Sequence, residues 1–462
     1  MITQLSISTF LGDLAGVIWG LPMIIILLGT HLFLTIRLGF PQRKIFKAIK
    51  LSFTKDSSSK GDVSQFAALA TSLAATLGTG NIIGVATAIS LGGPGAVFWC
   101  WLTGVFGIAT KYAEGFLAVK YRIKTEDGTM LGGPMFALER GLKAKWLAVL
   151  FCIFTVFASF GIGNMVQANS LSMLVERTFN INPHVSGLVL SILVALVIIF
   201  GVKGIAKVCS FLVPFMAIFY VAGCFIILGI NFEYLGESLR IIIHSAFNPL
   251  AAGGGFVGAT VIAACRFGIS RGLFSNESGL GSAPIVAAAA QTRNPVRQAL
   301  VSSTGTFWDT VVVCAITGLV LVSSIVAPNG IDASEGAGLT EAAFSLIPIL
   351  GPTVLSIGLL TFSFSTILGW SYYGERCMEY LGGKKVIKLY RLLWIITVYI
   401  GCVVNLQFVW DFADVMNALM AIPNLIALLG LSGIVARETK LYLSGNHIED
   451  FSPENKLEET ES

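Results

Sequence analysis

Two polar, glycine-rich runs interrupt segments that are otherwise apolar. The first is Gly78–Asn81, in the middle of one segment, and the second is Ala263–Pro284 in another. Because glycine is a poor helix former, each run predicts a local break in a helix, and we expect the second break over residues 266–276. The freed N–H groups at such a break can bind an anion, and the freed carbonyls can bind Na⁺ or an ammonium group. The chemistry indicated is the binding of a zwitterionic amino acid together with Na⁺.

The composition is that of a polytopic membrane protein. The chain has 462 residues, of which 55% are hydrophobic and only 12% are charged, and its mean hydropathy is +0.81. A soluble globular protein has about 25% charged residues, so this chain has too little polar surface to cover a water-soluble core of its size. The eight cysteines lie in apolar stretches and form no CxxC pair, which predicts free thiols and neither a disulfide framework nor a zinc site.

Apolar stretches predict about eleven transmembrane helices, because roughly 20 apolar residues are needed for one crossing. The first stretch is longer than that of a signal peptide and has no basic segment before it, so we interpret it as a retained span. The predicted spans lie near residues 12–36, 65–91, 94–119, 146–175, 185–202, 205–230, 254–288, 298–326, 350–375, 387–409 and 412–436. Lys111 and Glu114 lie at the inner end of the third span and predict an i, i+3 ion pair at the membrane interface.

The distribution of basic residues predicts the orientation. With the N-terminus outside, all but four of the 30 Lys and Arg residues lie in inner segments. Arg177 and Arg240 are the two in outer segments, and Arg266 and Arg271 lie within a span. Cytoplasmic segments carry the excess of Lys and Arg in membrane proteins. We therefore expect a multi-pass plasma-membrane protein with its N-terminus outside, its C-terminus in the cytoplasm, and a flexible polar tail over residues 438–462.

The two interrupted segments are five spans apart, which predicts two five-helix units of opposite topology. Residues 65–231 would form the first unit and residues 254–437 the second. Residues 1–64 would supply an extra N-terminal helix and a basic cytoplasmic loop. The alternative is that these glycines only allow close helix packing, but two polar runs at matching positions favour a binding site.

Three stretches of the sequence resemble a known family. They are GTGNIIGVATAISLGGPGAVFWCW (Gly78–Trp101), RGLFSNESGLGSAP (Arg271–Pro284) and STILGWSYYGERC (Ser365–Cys377). The chain resembles the alanine or glycine:cation symporter (AGCS) family of the amino acid–polyamine–organocation (APC) superfamily over nearly its whole length, although Cys100 and Ser278 stand where we expect Met and Ala. The resemblance implies Na⁺- or H⁺-coupled carriers of alanine or glycine. It also implies an all-α, LeuT-like five-plus-five inverted repeat with one extra N-terminal helix.

The resemblance further implies two sodium sites at the first break. Asn81 would supply a side-chain ligand to a Na⁺ next to the substrate, and Thr76 would supply a backbone oxygen. The ligands of the second Na⁺ would be two freed carbonyls and two hydroxyls, those of Ala74, Leu77, Ser365 and Thr366. On the residues alone, Asn81 can also cap the second half-helix.

Residues around the two breaks are the candidates for substrate binding. Gln167 lies in the middle of a predicted span and must find a polar partner, which is either the substrate or a neighbouring helix. Phe267 and Trp370 are aromatic residues beside the breaks, and we expect them to wall a small pocket in which Trp370 excludes larger side chains. The predicted substrate contacts are Thr79, Gly80, Asn81, Gln167, Phe267, Gly268 and Trp370.

Two carboxylates within the apolar segments each have two interpretations. A charged group in the membrane is a candidate functional group by default. Asp309 either lies near the ion at Asn81, as a member of that metal site, or pairs with Arg266 or Arg271. Glu277 either pairs with Arg271 or stabilises the interrupted helix, and we expect the structural role.

These observations together predict a secondary active symporter that imports a small neutral amino acid, alanine or glycine, with Na⁺. The alternatives are an H⁺-coupled amino acid carrier and a membrane amino acid sensor without net transport. The sequence has neither a GxxxxGK[ST] phosphate-binding loop nor an HExxH motif, and its four His are scattered, so we predict neither a pump nor an enzyme. An ion channel would need a continuous polar pore, and the paired helix breaks and few intramembrane charges do not favour one. The predicted partners are the amino acid, Na⁺ as coupling ion and the lipid bilayer, with no cofactor and no nucleic acid.

Overall fold

The computed structural model describes residues 10, 12–14, 16–54, 61–249, 256, 258–328, 330–348, 350–404 and 407–444. These residues are mostly helical, which confirms the predicted all-α class, and one short hairpin pairs β1 (Ile123–Lys124) with β2 (Met130–Leu131). The helices are α1 (Leu21–Arg37), α2 (Ile45–Ser52), α3 (Gln65–Thr76), α4 (Val85–Gly92), α5 (Gly95–Lys120), α6 (Pro134–Phe136), α7 (Lys145–Ala158), α8 (Val166–Phe179), α9 (Pro183–Ile198), α10 (Gly201–Ile230), α11 (Leu235–Phe247), α12 (Val261–Asn276), α13 (Pro284–Ala287), α14 (Pro295–Thr306), α15 (Ala315–Val326), α16 (Leu339–Phe344), α17 (Leu350–Gly382), α18 (Ile387–Val403) and α19 (Gln407–Ser444).

Seven helical stretches in the described part of the chain are long and apolar enough to cross a membrane. An eighth results if the bent pair Gln65–Thr76 and Gly80–Gly92 counts as one span. The other three predicted spans correspond to α5, α9 and α12. These helices do not meet the combined requirement for length and hydropathy; α9, for example, has 16 residues. The helical architecture of a multi-pass membrane protein is confirmed, whereas the count of eleven spans stays a prediction.

The helices turn polar groups inward and apolar side chains outward. α5 packs against α12 and α14, α10 against α17, and α9 against α18, while α11 fills the connection between the two predicted units beside α5 and α15. Asn81 and Asp309 are completely buried, whereas Leu196 and Phe211 on the outer faces of α9 and α10 are exposed. Exposed apolar surface of this kind suits contact with lipid. The eight cysteines are free thiols, as predicted.

A backbone pairing shows that the two interrupted helices run in opposite directions. Val63, just before α3, forms a parallel bridge with Ala290, just after α13. The first interrupted helix therefore begins where the second one ends. Inverted units require this relation. The unit boundaries 65–231 and 254–437 stay a prediction, and the first two residues of the second unit lie outside the described residues.

The C-terminal helix is longer than the sequence predicts. α19 continues to Ser444, so the predicted flexible tail is wrong for residues 438–444. Glu438 lies within this helix and forms an ion pair with Lys120 at 3.0 Å, which stabilises the last turns against α5. The rest of the predicted tail, residues 445–462, lies outside the described residues.

The second break lies further along the chain than predicted. α12 is an unbroken helix from Val261 to Asn276, so the predicted interruption over residues 266–276 is wrong. Gly268 allows close packing instead, because a Cβ atom there would overlap the backbone oxygen of Ala96 on α5. The packing interpretation is thus the right one for this glycine.

We expect Gly268→Ala to lower the midpoint of thermal unfolding of the purified protein. The added methyl group meets backbone that cannot move unless α12 separates from α5, and overpacking of this kind costs about 1–3 kcal/mol. Gly29→Ala is the matched control, because Gly29 also lies within a helix and a Cβ atom there meets nothing within 4 Å. An unchanged midpoint for Gly268→Ala would contradict the packing described here.

Candidate functional site

The first break separates two half-helices. α3 ends at Thr76, and Leu77 has an extended conformation with φ −71° and ψ 94°. The chain resumes as a π-helical turn, Gly80–Gly84, that leads into α4. The two halves are bent by 52° relative to each other. The sequence therefore predicted the position of this break correctly.

The side chain of Asn81 maintains the first break. In an unbroken helix the N–H group of Gly78 would donate to the carbonyl of Ala74. Here Gly78 N donates to Asn81 Oδ1 at 3.0 Å instead. The amide oxygen of Asn81 thus caps one N–H group at the break and keeps a second lone pair for an ion. The carbonyl of Ala74 is freed from the helix.

Four oxygen atoms converge on the end of α3. Ser365 Oγ and Thr366 Oγ1, on α17, lie 3.2 and 3.1 Å from the freed oxygen of Ala74. Each hydroxyl also lies 2.9 Å from the carbonyl oxygen of Phe362 in its own helix, and it donates its one proton to either carbonyl. Thr366 Oγ1 also lies 3.4 Å from the carbonyl oxygen of Leu77. Unwound carbonyls of this kind coordinate Na⁺ in transporters, and the hydroxyl protons can rotate away when an ion binds. The structure brings together all four residues predicted for the second sodium site.

Asp309 contacts the first break from the second unit. It lies on the π-helical turn Phe307–Cys314 between α14 and α15, and its Oδ1 accepts a hydrogen bond from Asn81 Nδ2 at 2.8 Å. Its Oδ2 accepts from Ser275 Oγ at 2.9 Å and from Thr310 Oγ1 at 2.6 Å. The direct partners of this buried carboxylate are therefore neutral groups, which leaves its charge available to a nearby cation.

The two arginines of α12 have other neighbours. The guanidinium of Arg266 lies over the ring of Phe267, 5.6 Å from its centroid. Arg271 is an electrostatic neighbour of Asp414 on α19. Among the described residues Asp309 pairs with neither arginine, so that predicted alternative is wrong.

Gln167 lies beside the first break with one unpartnered atom. Its Nε2 donates to the carbonyl of Ile162 at 3.2 Å and to Thr79 Oγ1 at 3.4 Å. Its Oε1 is buried without a hydrogen-bond partner among the described residues, 3.8 Å from where a Cβ atom on Gly78 would lie. A buried acceptor without a donor is costly. This oxygen is therefore suited to accept a hydrogen bond from a ligand's ammonium group.

Trp370 adjoins the same region from α17. It is buried and lies one helical turn after Thr366. Its side chain packs directly on Gly163, in the π-helical turn Ser159–Met165 that leads into the helix of Gln167. Trp370 therefore connects the hydroxyl-bearing helix with the helix that carries the unpartnered amide oxygen.

Phe267 and Gly268 are not brought together with the first break. They lie on α12 seven residues before Phe274 and Ser275, which are the residues of this helix that pack against Gly80. Seven helical residues correspond to about 10 Å along the axis. Phe274 and Ser275 are not among the residues predicted from the sequence, although Ser275 is a polar residue in the second glycine-rich run.

The second break occupies residues 277–283, between α12 and α13. Glu277, Gly279 and Gly281 have positive φ angles of 53°, 89° and 88°. Glycine adopts this conformation without strain, so the two glycines have a conformational function here. Glu277 accepts a hydrogen bond from Ser282 across the break, and this contact agrees with the predicted structural role. No ion pair joins Glu277 to Arg271 within the described chain.

Lys111 and Glu114 form an ion pair that is buried among the helices. Their charged atoms are 3.7 Å apart, and their side chains are 3% and 0% exposed. Glu114 Oε1 also accepts hydrogen bonds from the N–H groups of Gly279 and Gly281, at 3.0 and 3.1 Å. The predicted ion pair is present, and it is buried within the protein. Spacing along α5 cannot reveal a contact with a distant break.

The fold and the site define a class of protein. Two interrupted helices of opposite direction, with freed carbonyls and hydroxyls at the first, are the features of a LeuT-type secondary transporter. The structure of MhsT in complex with L-phenylalanine has a similar fold, with a TM-score of 0.54 and 15% sequence identity. The match covers 83% of this chain and 99% of that one.

The sequence comparisons define the family. The model of the sodium:alanine symporter family matches residues 4–456. The sodium/alanine symporter AgcS of Methanococcus maripaludis is 52% identical over 92% of this chain and 95% of its own length. An uncharacterized transporter of Haemophilus influenzae is 51% identical over 98% of this chain and 100% of its own length. The chain belongs to the sodium:alanine symporter family and is a carrier, not an enzyme, so the resemblance noted in the sequence is confirmed.

We expect Thr366→Val to raise the Na⁺ concentration for half-maximal thermal stabilisation by about tenfold or more, because valine keeps the shape and removes one oxygen from the cluster. Na⁺ that binds the folded protein raises the unfolding midpoint, so a titration with NaCl against KCl measures its affinity. Thr361→Val is the matched control, since Thr361 lies on the same helix and donates only within it, to Ile357 and Gly358. An unaltered Na⁺ response in Thr366→Val would remove this residue from the site.

Proposed function

We propose that the chain imports a small neutral amino acid, alanine or glycine, together with Na⁺. The observation that carries the proposal is the convergence of the freed oxygens of Ala74 and Leu77 with the hydroxyls of Ser365 and Thr366. These oxygens come from two different helices, so a bound Na⁺ favours the arrangement that brings α3 and α17 together. The family relationship supports Na⁺ as the ion and alanine as the substrate.

A second Na⁺ binds beside the substrate at Asn81. Its ligands are Asn81 Oδ1 and the backbone oxygen of Thr76, and the carboxylate of Asp309 supplies the compensating charge. Asp309 Oδ1 is 2.8 Å from Asn81 Nδ2, so only the side-chain amide of Asn81 separates the carboxylate charge from the proposed ion. A buried carboxylate without a counter-charge is costly. A cation at Asn81 offsets that cost, and this is the physical reason for the second site.

The substrate lies across the first break. The N–H groups of Thr79 and Gly80 belong to the first turn of the second half-helix, where N–H groups have no acceptor within the helix. They bind the substrate carboxylate, as helix N-termini bind anions. The unpartnered Oε1 of Gln167 accepts a hydrogen bond from the ammonium group. Both charged ends of the amino acid thus contact groups that the folded chain leaves available.

Trp370 limits the size of the substrate side chain. Its side chain is buried between its own helix, α17, and the segment that leads into the helix of Gln167, and it has no space to move toward Gly163. A small side chain such as a methyl group or a hydrogen atom fits beside an indole, and a branched side chain does not. Exclusion of bulk discriminates between substrates more strongly than a missing methylene, which is worth about 1–3 kcal/mol.

We expect Trp370→Leu to make leucine a better competitor of labelled alanine, with its half-inhibitory concentration lowered by about tenfold, because the smaller residue opens space beside the substrate. Trp101→Leu is the control, because Trp101 is 38% exposed and lies on α5. A competition series of glycine, alanine, valine and leucine in binding or uptake measures the change. An unchanged series in Trp370→Leu would show that another residue sets the size limit.

The orientation of the chain is proposed from the basic residues. The Lys- and Arg-rich segments lie in the cytoplasm, with the N-terminus outside and the C-terminus inside. In this orientation the Na⁺ gradient and the membrane potential both favour import. Each positive charge that moves inward gains about 2.3 kcal/mol per 100 mV.

The purified chain in liposomes should concentrate labelled alanine when an inward Na⁺ gradient is imposed, and a negative interior potential should increase the accumulation. K⁺ in place of Na⁺ is the control for the ion, and a pH gradient without Na⁺ tests the H⁺-coupled alternative. A chain that binds alanine with Na⁺ but never concentrates it would be a sensor, and that result would contradict the proposed transport.

A further inference from the structure

Each interrupted helix is contacted by a buried carboxylate from the other predicted unit. Asp309, on the span formed by α14 and α15, is bonded to Asn81 at the first break. Glu114, on α5, is bonded to the N–H groups of the second break. In each unit the carboxylate lies on the span that directly follows the interrupted one. The arrangement is reciprocal, and only its first half belongs to the ion site proposed above.

Glu114 Oε1 takes the place of a helix carbonyl for the second break. It accepts hydrogen bonds from Gly279 N at 3.0 Å, Gly281 N at 3.1 Å and Asn424 Nδ2 at 2.8 Å. Asn424, on α19, also donates to the carbonyl of Gly279 at 2.9 Å. One carboxylate oxygen and one amide group therefore hold the segment 277–283 between α5 and α19.

The surrounding helices pack closely against both glycines of this segment. A Cβ atom on Gly279 would overlap Leu27 of α1, and a Cβ atom on Gly281 would overlap Phe151 of α7. The conformation of residues 277–283 is therefore defined by its two glycines, by packing from α1 and α7, and by the bonds to Glu114.

Lys111 supplies the counter-charge for Glu114. Lys111 Nζ lies 3.7 Å from Glu114 Oε2, and neither atom has a hydrogen-bond partner in the described part of the chain. The two groups thus interact by charge, while Glu114 Oε1 is used for the backbone. Removal of one charge alone would leave a buried, unpaired ion. A test of the hydrogen bonds must therefore neutralise both groups together.

We propose that Glu114 is a positioning residue for transport, which holds the segment 277–283 and thereby the end of α12 in place at the ion site. Ser275, two residues before Glu277, donates to Asp309 Oδ2 at 2.9 Å. A shift of the held segment therefore moves a direct partner of Asp309. The effect on transport rests on the proposed function, whereas the anchoring itself is measurable without transport.

Two double variants separate the anchor from the charge. Lys111→Met with Glu114→Gln removes both charges and keeps a carbonyl oxygen that can accept from Gly279 and Gly281. Lys111→Met with Glu114→Leu removes both charges and the acceptor. Lys120→Met with Glu438→Gln is the control, because it neutralises another ion pair of α5, at 3.0 Å, whose acidic partner lies on α19.

Hydrogen exchange of the peptide that covers residues 277–283 is the direct measurement. We expect exchange in the leucine variant to be about tenfold faster than in the glutamine variant, because its buried N–H groups lose their acceptor. The control should exchange like the wild type. Asn424→Ala, which removes one bond to Glu114 and one to Gly279, should also accelerate exchange and serves the same comparison if the leucine variant is not recovered folded.

Na⁺-driven alanine uptake measures the consequence for the ion site. We expect the Na⁺ concentration for half-maximal uptake to be about tenfold higher in the leucine variant than in the glutamine variant, with similar unfolding midpoints. Equal hydrogen exchange over residues 277–283 in the leucine and glutamine variants would overturn the proposal. It would also be overturned if the two variants differed in exchange but had the same Na⁺ dependence of uptake. A wild type that never concentrates alanine would refute the proposed function, and the exchange comparison would still decide whether Glu114 anchors the break.

Discussion

The structure depends on one constraint: a backbone N–H or carbonyl group that leaves a helix within the membrane must find another partner. At the first break Asn81 binds the N–H group of Gly78, and the hydroxyl of Thr366 binds the freed oxygen of Ala74. At the second break Glu114 binds the freed N–H groups. The two breaks satisfy this constraint with different chemical groups. A hydroxyl can rotate and give up its place to a cation, whereas a carboxylate held by several donors cannot leave without exposing them.

This difference assigns different functions to the two breaks. The first break presents carbonyl oxygens whose present partners are exchangeable, so it suits an ion that binds and leaves in each transport cycle. The second break is held by Glu114 and Asn424 and closed by packing from α1 and α7. It therefore acts as a fixed support for α12, whose Ser275 contacts the carboxylate of Asp309. The site of one interrupted helix is thus positioned by the other.

The sequence predicts the first break well and the second poorly, for a physical reason. The run Gly78–Asn81 combines flexible glycines with an amide that can cap a freed N–H group, and both properties are local. In the second run, Gly268 allows close helix packing, whereas Gly279 adopts a positive φ angle. The sequence shows only that both residues are glycine and does not distinguish these two functions. Only the neighbouring backbone of α5 decides which applies.

The contacts that the sequence missed are tertiary. Glu114 was visible only as a partner of Lys111 three residues earlier, because its other partners are more than a hundred residues away along the chain. Ser275 was one polar residue among several in its run. In contrast, the hydroxyl pair on α17 was expected opposite the freed carbonyls because the family resemblance matched these residues one by one, and the structure brings them together.

An experimental structure of the protein in NaCl, compared with one in which an organic cation replaces Na⁺, tests the central claim most directly. The account predicts a density peak between the carbonyl oxygens of Ala74 and Leu77 and the hydroxyls of Ser365 and Thr366 in NaCl, and no such peak without Na⁺. A continuous helix through residues 76–82, or a Na⁺ bound elsewhere while these four oxygens contact only protein groups, would contradict it.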